Sequence, residues 1–263
     1  MTHRILSRLM LAALGCALAL PVAAEMIGTV ATNEPTMTGT PPGAAARNLV
    51  IGTGVVQDET IASSATGRGQ LLFLDQTTLS LAPSTVIVLD RFVYDPATGG
   101  GEMGLQLTKG ALRFIGGTLS EDQAATVTTP TATIGIRGSS ALVIYFNGET
   151  IAIFLAGERL CITSGGRQVC TSRKGGVLTE DGYIGRVNPA FLAGILRILD
   201  GVPQGGSGAA PGTGVNDPNP ADRGPVSTSG EEFDPDIFDD DFTFNDLFEY
   251  FPGSDTNCGD CGD

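Results

Sequence analysis

The chain has no tryptophan, and its one histidine is His3, close to the N-terminus of 263 residues. Without a histidine further along, neither Ser-His-Asp nor Cys-His chemistry can be assembled, nor the usual His-containing zinc or iron site. Aromatics make up only 6% of the residues, so there is no indole platform of the kind that sugar-cleaving clefts use beside a carboxylate pair. Cations are scarce as well, 15 Lys and Arg against 29 Asp and Glu, which removes the basic face that nucleic-acid binding needs. No apolar run beyond residue 24 approaches the ~20 residues required to span a bilayer. Long helical periodicity is also missing, which excludes βαβ units and a dinucleotide-binding sheet.

What is present begins with an export leader. Arg4 and Arg8 precede an apolar stretch from Leu9 to Leu20, and Val22-Ala23-Ala24 supplies small residues before Glu25. Residues 1–24 therefore read as a signal peptide cleaved after Ala24, leaving a periplasmic or secreted protein without a membrane span. Leu14-Gly15-Cys16 offers a lipoprotein alternative, with a short apolar run before the cysteine. The charge is uneven: residues 201–263 hold 14 acidic residues and one cation, Arg223, whereas residues 25–200 hold 15 acidic and 12 basic. Such a tail is repelled by anionic membrane surfaces.

Composition divides the rest. Residues 25–48 are polar, contain Pro and Gly, and are expected to be irregular. Between 49 and 187 runs of four to six apolar residues recur every 8–12 positions, among them Leu71–Leu74, Val86–Leu89, Leu105–Leu107, Ala111–Ile115, Ala132–Ile136, Ala141–Phe146 and Ile151–Leu155. That spacing predicts an all-β sandwich, barrel or solenoid. Asn147-Gly148 is a type I′ turn signal. Gly165-Gly166 is a second turn; it would pair Ser164 with Arg167 and, counting outward, Cys161 with Cys170, a structural disulfide in an exported protein. Residues 188–200 form one short helix with Phe191, Ile195 and Ile198 on one face, suited to cap the β module.

The most distinctive stretch is Thr129-Pro130-Thr131-Ala132-Thr133-Ile134-Gly135-Ile136-Arg137-Gly138. Its alternation reads as a strand, Pro130 belongs at a strand start or edge, and Gly135 and Gly138 suggest a bend with close backbone approach. The pattern resembles the signature of the FecR family's periplasmic domain, carried by Thr129, Pro130, Ala132, Gly135, Arg137 and Gly138. Upstream, Gly69 to Thr85, Leu89 to Asp95 and Leu107 to Phe114 resemble further blocks of that family in its order. Gln76 stands where the family has Gly in a turn, and Ser139 where Thr is commoner. The resemblance implies an all-β, FecR-type β-solenoid-like or rolled two-sheet module.

Residues 201–230 are rich in Gly, Pro and Ser and read as a flexible linker. Residues 231–263 are an acidic, disordered tail; within 231–251, Phe233, Phe238, Phe242, Phe244, Phe248, Tyr250 and Phe251 lie among nine carboxylates, more ring surface than a solubilising tail requires. A partner-binding motif is the sharper reading. Cys258 and Cys261 form a C-x-x-C expected to close locally. Asp75, Asp90, Asp95 and Glu102 cluster in sequence, but Asp75, Asp95 and Glu102 sit where turns are expected. Arg113 and Arg137 suit ion pairs or backbone carbonyls better than a ligand. No catalytic, cofactor-binding or metal-binding residue is indicated.

FecR proteins of the classical type transmit a receptor's state to a sigma factor. The expectation here is a non-catalytic sensing or interaction module of the envelope, whose tail engages an envelope or membrane-bound protein. A secreted or surface scaffold is the alternative.

Overall fold

The computed structural model describes residues 25–34 and 36–200. They are mostly strand: seventeen strands in one open hydrogen-bonded network. The network runs as two ladders that share one strand, β9 (Gly101–Ile115). The first ladder joins β4 (Gly54–Val56), β1 (Met26–Glu34), β6 (Arg68–Phe73), β7 (Thr78–Leu81), the C-terminal half of β9, β12 (Ser140–Phe146), β13 (Glu149–Ala156), β16 (Gly176–Thr179) and β17 (Gly182–Arg186). The second joins β3 (Arg47–Leu49), β2 (Met37–Thr40), β5 (Thr60–Ser63), β8 (Val86–Tyr94), the N-terminal half of β9, β10 (Ala125–Thr128), β11 (Thr133–Arg137), β14 (Arg159–Ser164) and β15 (Arg167–Thr171). Every pairing is antiparallel except that of β9 with β10.

Two apolar clusters explain the arrangement. Alternate side chains of both ladders meet in a shared core that includes Leu71, Leu79, Ile87, Leu107, Phe114, Ile134, Val143 and Ile162. This is the period-2 pattern of the sequence, each strand turning one row inward. The second cluster lies on the other face of the first ladder. There Leu142, Ile144, Ile151, Ile153 and Val177 are covered by α2 (Pro189–Asp200) through Phe191, Ile195 and Leu199. Strands β12 and β13 are thus buried on both faces, which is why they read as unbroken apolar runs. The buried helical spacing is 191, 195, 199, with Ile198 only half-buried.

Three expectations need correcting. Residues 25–48 are not irregular: they form β1, β2 and most of β3, with Ile27, Val30 and Met37 in the core. So few apolar anchors, spaced by polar residues, gave no clear strand signal. The runs at 105–107 and 111–115 are one strand, bent at Gly110, whose φ of +90° and close approach to Thr85 admit no side chain. A second helical turn, α1 (Thr118–Asp122), also follows β9.

Both hairpins form in the expected registers. Phe146 pairs with Glu149 across Asn147 and Gly148, both at positive φ. Ser164 pairs with Arg167 and Cys161 with Cys170, across Gly165-Gly166, also at positive φ, and the two cysteines are disulfide-bonded.

Candidate functional site

The conspicuous sequence motifs lie at corners where the chain crosses between ladders or reverses. The innermost is Asp75. Its carboxylate is fully buried and accepts the Thr77 N–H at 3.0 Å, the Thr77 hydroxyl at 2.7 Å and the Leu119 N–H at 3.3 Å. Its carbonyl accepts the Thr118 N–H, and the Thr77 hydroxyl oxygen accepts the Gly117 N–H at 3.0 Å. The turn 75–77 thereby fastens the exit of β9 to α1. Gln76 occupies it at φ +72°, a left-handed conformation that glycine adopts without strain.

Thr129 to Ala132 is a turn, not strand, joining β10 to β11. The Thr129 N–H donates to the Ala132 carbonyl at 2.8 Å, and the Ala132 N–H donates to the Thr129 hydroxyl at 3.0 Å. Pro130 therefore sits in the turn, where a missing N–H is not needed for pairing. The hydroxyls of Thr129, Thr150 and Thr131 are linked at 2.6 and 2.7 Å, and Glu180 accepts from Thr131 and from the Thr150 N–H. Beside this network, burial, then Glu180 and Asp181, push the Glu149 carboxyl above its ordinary value, and its Oε2 has no hydrogen-bond partner.

Gly138, at φ +51°, turns the chain from β11 into β12. The close approach expected at Gly135 is absent, since a Cβ there would meet only the Ala124 side chain at 3.8 Å. The tight contact is at Gly157, whose added Cβ would lie 2.2 Å from the Gly138 carbonyl oxygen. Ser139 secures that crossing: its hydroxyl oxygen accepts the N–H groups of Glu158 and Arg159 at 3.0 and 3.1 Å and donates to the Arg137 carbonyl. Arg137 pairs with Glu158 at 3.1 Å on the surface. Arg113 pairs with Asp200 at 2.5 Å, tying the end of α2 to β9. Both arginines are spent on structure.

Residues 59–158 match the family model described as FecR protein. This stretch is a FecR domain. The corners just described fall within it apart from Arg159, Glu180, Asp181 and Asp200. No curated protein matches the chain. Two crystal structures, at 1.65 and 2.50 Å resolution, of a candidate anti-sigma factor from Parabacteroides distasonis ATCC 8503 resemble it at 13% identity and a TM-score of 0.40. The likeness covers 52% of this chain and 64% of that one, under two thirds of the neighbour's length. It is too loose to carry an argument.

Of the clustered acids, Asp75 and Asp95 do serve turns. Asp95 accepts the Ala97 N–H at 2.9 Å and the Thr98 hydroxyl at 2.8 Å, bonds that hold its carboxyl below its ordinary value. Glu102, by contrast, lies in β9 and binds Arg91 at 2.7 Å, raising the guanidinium's pKa. Asp90, Arg91, Glu102, Gln123 and Thr126 line a shallow depression of about 350 Å³. Its Glu102 is held by Arg91.

Beyond the matched stretch the β module leaves open strand edges. Among the described residues, β15 is paired only with β14, and β17 only with β16. Phe233, Phe238, Phe242, Phe244, Phe248, Phe251, Cys258 and Cys261 lie outside the described residues, as do the leader and the linker. No described helix is long and apolar enough to cross a membrane.

Proposed function

We propose that this chain is an exported FecR-domain protein that works by docking to other proteins in envelope signalling, without catalysis. The observation that carries the reading is the FecR match over residues 59–158. The fate of the signature residues agrees with it: Thr129, Ala132, Gly138 and Ser139 make corners and present no reactive group. Two ladders sharing β9 support treating the module as a rolled two-sheet body, with solenoid-like alternation between its walls. The leader is cleaved after Ala24, placing the mature protein in the periplasm or outside the cell. The aromatic tail, Phe233 to Phe251, engages an envelope or membrane-bound partner, and Cys258 and Cys261 close on each other.

Cross-linking mass spectrometry on native envelopes tests this. The full chain should yield a defined partner that is lost when residues 231–263 are deleted. Absence of any cross-linked partner, with the protein abundant in the medium or surface layer, would replace signalling by the scaffold reading.

A further inference from the structure

The two ladders end side by side at β15 and β17, with Ile184 of β17 turned toward the α2 cluster and Tyr183 toward the shared core. Arg167, the first residue of β15, reaches the carbonyl of Asp181 at 3.2 Å, immediately before β17 begins. At the far end of β17, the Arg186 guanidinium donates to the Lys174 carbonyl at 2.9 Å. The two free edges therefore form one terminal surface. Between them Val169 and Tyr183 close the core only partly, each half-buried against it. The rim carries a cationic excess: Arg167, Arg173, Lys174 and Arg186 are all exposed, and residues 159–186 contain five cations against two carboxylates, Glu180 and Asp181. In a protein of net charge −14, this is a local excess of positive charge.

The same chain carries its chemical complement. Residues 231–251 hold nine carboxylates and seven aromatic rings with no cation. We propose that residues 231–251 dock on the β15/β17 end of their own β module, the rings covering Val169 and Tyr183 and the carboxylates meeting Arg167, Arg173, Lys174 and Arg186. An extended segment beside β15 or β17 would also satisfy an open edge, the mode by which exposed strands accept peptides. The span allows it. Thirty residues of Gly/Ser-rich composition separate Asp200 from Glu231, with a root-mean-square reach of about 30 Å. A body of this size has a radius of gyration of about 16 Å. Tethering at that length supplies an effective concentration in the millimolar range. Self-docking goes beyond the functional reading, because it concerns where the acidic segment rests in the isolated protein. An outside partner would compete for it.

Amide hydrogen exchange on the purified mature chain tests the proposal. Three forms are compared: the parent, a tail variant (Asp239→Asn, Asp240→Asn, Asp241→Asn) and a rim variant (Arg167→Glu, Lys174→Glu). The β15 and β17 amides should exchange about tenfold more slowly in the parent than in either variant. The difference should vanish at about 0.5 M salt. Amides of β6 should be alike throughout, showing that the module remains folded. Equal β15 and β17 rates in parent and tail variant would overturn the proposal. Protection that disappears on about hundredfold dilution would overturn it too, since it would mean docking onto a second copy. Neither result touches the partner cross-linking experiment, whose outcome stands separately.

Discussion

Replacing Asp75 by alanine is the most incisive test of how this module is held together. The substitution leaves three donors without their acceptor in a site closed to water: the Thr77 N–H, the Thr77 hydroxyl and the Leu119 N–H. A buried donor stranded in this way costs about 1–3 kcal/mol. The hydroxyl can rotate toward another acceptor and α1 can shift, so the three together should cost about 3–5 kcal/mol. Domains of this kind are stable by about 5–15 kcal/mol in all. In urea, with a slope of about 2–3 kcal/mol per M, the unfolding midpoint of the mature chain should fall by about 1–2 M with the slope unchanged. Asp75→Asn retains an acceptor for the Thr77 N–H and should lose roughly half as much. A double cycle with Thr77→Val should be strongly non-additive, because both changes sever one contact. If Asp75→Ala lies within about 1 kcal/mol of the parent, the corner is not a fastener and the structural reading of the signature is wrong.

Other outcomes follow from the same structure. Phe191→Ala empties the contact between α2 and the first ladder and should cost about 3–5 kcal/mol, with increased proteolysis of residues 189–200 as a second readout. Reducing the Cys161–Cys170 disulfide should cost about 2–3 kcal/mol, the chain-entropy value for so short a loop, measurable by urea melts with and without reductant. Glu149 has a raised pKa in the folded state, so its contribution is fully present below the usual glutamate range and is lost as pH rises through the raised value. Glu149→Gln should therefore gain melting temperature at neutral pH relative to the parent, and gain none in acid. Asp95 has the opposite sign: its contribution exists above the usual aspartate range and is lost as pH falls, so Asp95→Asn should differ least from the parent in acid.

How far the sequence revealed this depends on the reach of each interaction. The 161–170 hairpin was readable because Gly165-Gly166 sets its register locally, and the cysteines follow by counting. The same holds for Asn147-Gly148. The all-β class was readable because alternating residues such as Leu71 and Phe73 face one core. The strands of residues 26–49 were not, because they borrow their burial from β4, β5 and β6 and carry few apolar residues of their own. The role of Ser139 was invisible for a related reason. Its hydroxyl serves N–H groups at 158 and 159, about twenty positions away in sequence, and a threonine would supply the same oxygen. Glu102 belongs to β9, which begins at Gly101, so the turn expected around it ends before it.

The fifteen residues of β9 also bear on how this protein comes apart. One uninterrupted length of backbone is stitched into both walls, so force applied to either wall is carried into the other through it. Pulling on either side should load that common span, and rupture should register as a single event in a force trace.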